Sequence, residues 1–330
     1  MDEKSINAII SRYPYPIAIL FRIVAGMDLK EEPAKGLEYI LQTAEAIARL
    51  LGIIALSELT LLKEQQDIDI PAGVKSEFRK NIKRPSFGIW LGFAREGFAF
   101  FKKSGAQIII PELNELFYDG RKETEFKIAL DKLIKLRNAI AHRKVVLDTI
   151  DKQQTAAQIS LNYLHTALTG LDFLKQVSFG YIKSIEVNKK RRQNPEFLHK
   201  GKLLTGDSIG KGINLSSVQD EFKETDTVII RYDKSKYLNL YPFYIYDESS
   251  GDAVDVFFYN GMDKKRLEYI GIDPGGKFFV ENQAPEESLD LDAEFDILMS
   301  GGGMKKDEDN IKYSPELHGE FAHITDLLDK

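Results

Sequence analysis

The sequence predicts an α+β protein, in which a helical N-terminal region is followed by a small, mainly antiparallel β region. Before residue 177, long segments carry apolar residues three and four positions apart, which is typical of amphipathic helices. After it, short runs of β-branched and aromatic residues alternate with Gly, Asp, Asn and Ser, which favours strands and turns. Residues 281–330 carry 4 Lys and Arg against 14 Asp and Glu. We therefore expect three regions.

The three expected regions are a helical domain at 1–176, a β-rich regulatory or binding domain at 177–282, and an acidic tail at 283–330 that is partly helical or disordered. A chain of 330 residues is long for one domain, so each of the first two is expected to bury its own core. The tail supplies the whole acidic excess of the chain, since residues 1–280 carry slightly more basic than acidic groups. The formal charge of −6 is therefore a poor guide to nucleic-acid binding.

Five helical segments are predicted in order: 6–23 with a break at the Tyr13-Pro-Tyr-Pro turn, 35–62, 86–101 with Ser86 as its N-cap, 124–141, and 151–176. A polar loop is expected at 63–73.

The strands are predicted at 177–187, 227–232, 240–246, 254–259 and 267–270. A last helix is expected at 288–299, followed by a linker that begins with three glycines.

Composition excludes several classes of function. The chain has no cysteine, so it has no disulfide, no thiol nucleophile and no thiolate metal site. Its beginning, which holds Arg12, Pro14, Pro16 and Arg22, fits neither a signal peptide nor a membrane span. We expect a cytoplasmic protein without a membrane partner.

The sharpest chemical feature is Arg137-Asn138 followed by His142, at the end of the predicted helix 124–141. On a helix, Asn138 and His142 share a face. RNA cleavage without a metal needs a base for the 2′-hydroxyl, an acid for the leaving 5′-oxygen and positive charge at the phosphorus. The unperturbed pKa of histidine suits the first two roles near neutral pH, although one histidine cannot easily perform both, and an arginine suits the third.

These residues resemble the Arg-x4-His motif of the HEPN (higher eukaryotes and prokaryotes nucleotide-binding) ribonuclease family, in the form where Asn follows Arg. The resemblance covers the helical half and implies a helical bundle with catalytic Arg137, Asn138 and His142. It also implies a homodimer that joins two motifs in one cleft, with 2′,3′-cyclic phosphate and 5′-hydroxyl products. RNA is the implied partner, and toxin or antiviral defence systems are the implied setting.

The resemblance also suggests one supporting residue, Glu45, as the acidic or polar group on the long earlier helix that faces the motif. Arg143 lies outside the motif and is a second supporting candidate, because its charge adds phosphate affinity. One subfamily is regulated by modification of a Tyr two positions past the His. Here that position is Lys144, so regulation by this route is in doubt, although a regulatory partner protein is still expected from the added β domain.

The basic run Lys189, Lys190, Arg191 and Arg192 is a candidate RNA-backbone contact, with a solvated surface loop as the alternative. The glycine-rich segment 206–212 resembles a phosphate loop only in part, because its spacing is one residue short, and a turn between strands is the better interpretation. The five histidines show no metal-ligand pattern. We expect no metal and no cofactor.

Two further hypotheses stay open from sequence. The helical domain is a catalytically inactive dimerisation or nucleic-acid-binding or nucleotide-binding module, with the β domain as the interaction surface. Alternatively, the enzyme is active and its acidic tail occupies the basic cleft as a phosphate mimic.

Overall fold

The computed structural model describes residues 1–66, 70, 72–192, 195–209, 212–217, 224–232, 236–247, 255–263, 266–272 and 277–281. The helices of these residues are α1 Glu3–Arg12, α2 Tyr15–Ala25, α3 Pro33–Gln66, α4 Ala72–Asn81, α5 Phe87–Ser104, α6 Glu125–Ala141 and α7 Ile150–Gly170. The helical half and the strands after it confirm the predicted α+β class. None of the described helices has the length and hydropathy needed to span a membrane.

Helix α3 is the centre of the helical region. It packs against α2, α5 and α7, and most of its residues from 43 to 59 are buried. Two glycines allow α3 and α5 to approach closely: a Cβ added at Gly52 would lie 2.7 Å from the Trp90 carbonyl oxygen, and one at Gly97 would lie 2.9 Å from the Ala55 Cβ. Larger residues at either position would force the helices apart.

Helix α6 lies at the edge of this bundle. Helix α7 packs extensively against both α3 and α6, whereas α3 and α6 contact each other only slightly. The buried residues of α6 are confined to its first half, from Phe126 to Leu133. The second half of α6, with the predicted motif, is therefore more accessible to solvent.

The strands are β1 Tyr118–Asp119, β2 Lys122–Glu123, β3 Val177–Asn188, β4 Glu196–Leu203, β5 Gly212–Ser217, β6 Thr227–Tyr232, β7 Lys236–Asn239, β8 Tyr244–Asp247, β9 Asp255–Asp263, β10 Arg266–Gly271 and β11 Lys277–Glu281. Strands β1 and β2 form a small hairpin. A five-stranded sheet has the order β5-β4-β3-β6-β7, and a four-stranded sheet has the order β11-β10-β9-β8. Every pairing is antiparallel, as predicted.

The helices and the sheets share one core among the described residues, where the sequence predicted two. A single connected cluster of buried apolar residues runs from α1 to beyond β10. Polar contacts cross the same junction: the Tyr259 hydroxyl donates to the Ile82 carbonyl oxygen at 3.0 Å, and the Tyr15 N–H donates to the Leu204 carbonyl oxygen at 2.9 Å. The change from helix to strand falls at Val177, and the division into domains stays a prediction.

Several element boundaries differ from the predictions. Helix α3 continues to Gln66, into the loop expected at 63–73, and α4, which was not predicted, begins at Ala72. Helix α7 ends at Gly170 and gives way to a 3₁₀ turn at Asp172–Gln176. Ser86 occupies the N-cap of α5, as predicted, but its side chain makes no capping hydrogen bond.

In the strand region, only the end of the predicted run 240–246 is a strand, because β8 begins at Tyr244. Residues 241–243 form a turn that contains Pro242, which has no N–H to donate to a ladder. Strands β4, β5, β7 and β11 were not predicted. The predicted helix at 288–299 and the glycine linker lie outside the described residues.

Gly206, the first residue of the glycine-rich segment, packs against the Tyr13-Pro turn. The Gly206 N–H donates to the Tyr13 carbonyl oxygen at 2.8 Å. Gly206 has φ +85°, and a Cβ there would lie 3.0 Å from the Ser11 carbonyl oxygen. This glycine meets a packing and backbone requirement, which agrees with a turn rather than a phosphate loop.

Candidate functional site

The last turn of α6 presents the predicted Arg-x4-His motif. The helix begins at its N-cap Thr124, whose hydroxyl accepts from the Lys127 N–H at 3.2 Å. It ends at Ala141, with His142 as the C-cap residue. The His142 N–H still donates to the Asn138 carbonyl oxygen at 2.9 Å. The motif thus spans the end of the helix, and His142 marks the point where the chain leaves it.

Backbone geometry past the motif is unusual. Arg143 has φ +55°, in the left-handed region that disfavours residues other than glycine. This turn lets the Lys144 N–H donate to the Ala139 carbonyl oxygen at 2.8 Å, which satisfies one of the last carbonyls of α6. A residue with a Cβ therefore occupies a position that usually takes glycine at a helix end.

The motif side chains are open to solvent and have few partners. Arg137 is half-buried, whereas Asn138, His142 and Arg143 are exposed. The Arg137 Nη1 donates weakly to the Asn138 Oδ1 at 3.4 Å. In the described part of the chain, no carboxylate forms an ion pair with Arg137, His142 or Arg143. An imidazole and a guanidinium are therefore available to an incoming anion.

The surroundings of the motif are strongly basic. Residues 132–147, which we call the motif surface, carry five Lys and Arg residues and no Asp or Glu. Lys132, Lys135, Arg143 and Lys144 are exposed. A cluster of uncompensated cations on one surface attracts polyanions, because binding releases the counterions held by the phosphates.

Glu45 lies in a different environment from the one expected. Its carboxylate accepts from the Arg49 Nη2 at 3.1 Å, and the Arg49 guanidinium lies 3.6 Å from the centre of the Phe258 ring. Within the described residues, no hydrogen bond or ion pair joins Glu45 to Arg137, Asn138 or His142. Glu45 instead helps to hold a buried arginine between α3 and β9, a structural role that the sequence did not reveal.

The basic run Lys189–Arg192 occupies the connection that follows β3. All four residues are exposed, and Arg192 has φ +66°. Their side chains form no ion pair with any described carboxylate. Among the described residues, no hydrogen bond or ion pair joins this run to Arg137 or His142.

A groove of about 640 Å³ lies between α6 and α7, beside the motif. Its walls are mainly apolar and include Leu136, Val145, Val146, Ile159 and Tyr163. Val146 is 60% exposed and Ile159 is 49% exposed. The sequence did not predict this groove, although the run Val145-Val146-Leu147 directly after a helix end was a usable signal. We call it the α6–α7 groove.

Two other histidines lie on α7 and β4. His165 is half-buried on α7, with its ring edge against Phe21 at 6.1 Å between centres, and burial lowers its pKa. His199 is buried on β4. Among the described residues, no three His, Asp or Glu side chains are grouped so that they could hold a metal ion.

Glu58 is a buried titratable group that the sequence did not single out. It is 1% exposed on α3, and its Oε1 accepts from the Ile109 N–H at 2.6 Å. Burial raises the pKa of Glu58 to about 7, an effect that this hydrogen bond and the charge of Lys236 partly oppose. It lies in the core and serves the fold rather than the motif.

Comparison of the chain with protein-family models, with curated proteins and with solved structures yields no match. The resemblance to HEPN domains therefore depends on the motif residues and on their place at the end of a helix in a helical region.

Proposed function

We propose that the chain is a metal-independent endoribonuclease of HEPN type, acting as a homodimer in which two copies contribute Arg137 and His142 to one cleft. The single observation that carries the proposal is the open, cationic end of α6, where Arg137 and His142 have no acidic partner among the described residues. Both groups are free to act on a phosphodiester.

In the proposed reaction, the 2′-oxygen of RNA attacks the adjacent phosphorus while one His142 takes the 2′-hydroxyl proton. The bond from phosphorus to the 5′-oxygen breaks, and a second His142 protonates the leaving oxygen. The products are a 2′,3′-cyclic phosphate and a 5′-hydroxyl. Arg137 stabilises the extra negative charge on the phosphorus oxygens, because its guanidinium forms two parallel hydrogen bonds to phosphate.

One copy of the chain has a single motif histidine, and one imidazole cannot easily serve both faces of the phosphorus. This requirement is what supports a dimeric site. Asn138 is adjacent to Arg137 and would orient the phosphate or the arginine. A role in a toxin or antiviral defence system follows only from the family resemblance.

The test is cleavage of a mixed RNA pool by the full chain in EDTA, with analysis of the product ends. Arg137→Ala and His142→Ala should each lower the rate at least about 100-fold, which is the usual contribution of a catalytic acid or base for His142 and of a group that stabilises transition-state charge for Arg137. Arg121→Ala is the matched control, because Arg121 is an exposed arginine in the β1–β2 turn. Its rate should stay within a factor of two or so of the unmodified chain.

A second candidate function is a non-enzymatic module that binds RNA, nucleotide or a protein partner. The apolar α6–α7 groove favours it, because exposed apolar surface beside a basic surface is typical of an interaction site. If the full chain and all three variants are equally inert on RNA while Arg137→Ala weakens RNA binding, this second function replaces the first.

A further inference from the structure

The α6–α7 groove leaves apolar side chains in water at the edge of the motif surface. Val146 is 60% exposed and Ile159 is 49% exposed. Burying a side chain of this size against another apolar surface is worth about 1.5 to 3 kcal/mol when it is complete. Binding of an occupant with a matching apolar face would therefore be favoured by the free energy of burying these side chains.

The rim of the groove is basic. Lys132 lines it directly, and the motif surface adds exposed cations at Arg143 and Lys144. Lys152 also lines the groove, but its ammonium is paired with the Asp148 carboxylate at 2.8 Å. Asp151 also lines the groove, but residues 132–147 contain no acidic residue. An occupant with an apolar face and acidic flanks would complement this groove in both respects.

The last residues of the same chain have this pattern. Leu317, Phe321, Ile324 and Leu328 follow one another at spacings of four, three and four, which predicts one apolar face on a helix. Residues 314–330 also hold four acidic residues against one lysine: Glu316, Glu320, Asp326, Asp329 and Lys330. This segment lies outside the described residues.

The connecting chain is long enough. The described residues end at 281, and residues 282–313 can span about 100 Å when fully extended. A compact body of this size has a radius of gyration of about 19 Å. The segment can therefore reach the groove from any point on the surface.

We propose that residues 314–330 bind as an amphipathic helix in the α6–α7 groove, with the apolar face on Val146 and Ile159 and the acidic residues beside the cations of the motif surface. This docking goes beyond the proposed function, since it holds whether or not the chain cleaves RNA. If the chain is a nuclease, the docked carboxylates occupy the surface where RNA phosphates would bind.

Charge favours this occupant over a second copy of the chain. A second copy would bring its own five cations of the motif surface against the first five, and like charges on apposed surfaces weaken association. RNA bound between two copies would neutralise that repulsion. Without RNA, the acidic segment is the better partner for the groove.

Disulfide trapping tests the proposal in the full chain, because the chain has no cysteine of its own. One variant combines Val146→Cys with Thr325→Cys. The matched control combines Val187→Cys with Thr325→Cys, since Val187 is 56% exposed at the end of β3 and is not part of the groove. Both are treated with oxidised glutathione at low protein concentration, and intramolecular disulfides are counted by peptide mass mapping.

Docking should make the Val146→Cys variant form its intramolecular disulfide at least about tenfold faster than the control, because it raises the effective concentration of the two thiols. Adding Phe321→Asp to the Val146→Cys, Thr325→Cys variant should abolish that advantage. Equal rates for the two pairs would overturn the proposal. A disulfide that forms only between the Val146→Cys positions of two chains would overturn it as well, and would assign the groove to a second copy.

Discussion

The junction between α3 and the sheets and the motif surface at the end of α6 use charged side chains in opposite ways. At the junction, Arg49 is 7% exposed, yet it has both the Glu45 carboxylate and the Phe258 ring as partners. On the motif surface, Arg143 and His142 are exposed and have no acidic partner among the described residues. The contrast separates charges that serve the fold from charges available to a ligand.

The apolar residues show the reverse contrast. Those of α3 are almost all buried, whereas Val145 and Val146 beside the motif are exposed. A surface with unpaired cations and exposed apolar side chains contributes little to the stability of the folded monomer. We infer that stability depends on the α3 junction and that binding depends on the motif surface, so substitutions in the two regions should affect different measurements.

The largest stability effect is expected from Glu45→Ala. Removing one partner of a buried ion pair leaves the other charge uncompensated, which typically costs about 3 to 5 kcal/mol. Glu45→Ala should therefore lower the free energy of unfolding by about 3 kcal/mol, because the Phe258 ring still faces Arg49. Urea denaturation of the full chain followed by circular dichroism measures this.

His142→Ala is the comparison for Glu45→Ala, and it should change the free energy of unfolding by less than about 0.5 kcal/mol, as exposed sites usually do. If Glu45→Ala is as mild as His142→Ala, the proposed division between the two regions is wrong.

A second effect, of up to about 3 kcal/mol, is expected at Glu58 and depends on pH. The carboxyl loses its proton near pH 4.5 in the unfolded chain and near pH 7 in the folded chain. Between these values the folded state binds more protons, so stability is fully present at low pH and falls as the pH rises through this window. Glu58→Gln keeps an oxygen that accepts from the Ile109 N–H, but it cannot ionise.

Unfolding of Glu58→Gln and of the unmodified chain should therefore match at pH 4.5, while Glu58→Gln should be the more stable at pH 8. The same substitution at an exposed acid, Glu125→Gln, controls for general charge effects, since Glu125 is exposed at the start of α6. Equal stability of the Glu58→Gln and unmodified chains at pH 8 would show that the Glu58 carboxyl is not perturbed.

Sequence periodicity predicted the long helices well because their buried faces repeat every three to four residues over many turns. It missed α4, whose mean hydropathy is low and whose short length gives a weak pattern. It also missed β4 and β5, where Lys200, Lys202 and Asn214 interrupt the apolar alternation. The formation of a short strand depends on pairing with its partner strands, and a short stretch of sequence does not show which strands will be its neighbours in the sheet.

The candidate site was predictable only in part, for a related reason. Arg137, Asn138 and His142 are local in sequence, so their position at one helix end follows from the helix itself. Glu45 was assigned to the motif by analogy, but its partner Arg49 is one turn away on α3, and Phe258 is more than 200 residues distant in sequence. The α6–α7 groove likewise needs the packing of two helices, which spacing alone does not give.

The smallest expected change in stability concerns Arg143, on the motif surface. Arg143 has φ +55°, a conformation that costs a residue with a Cβ about 1 to 2 kcal/mol and costs glycine nothing. Arg143→Gly should therefore stabilise the chain by about 0.5 to 1 kcal/mol, after the greater freedom of glycine in the unfolded chain is taken into account.

Lys144→Gly is the matched control, because Lys144 is equally exposed but does not have a positive φ, and it should be neutral or slightly destabilising. Urea denaturation measures both, and equal shifts in the same direction would contradict the assignment of backbone strain to Arg143. A gain at Arg143 accompanied by weaker RNA binding would mean that this arginine is retained for its charge in spite of its backbone, as expected of a residue that serves a ligand rather than the fold.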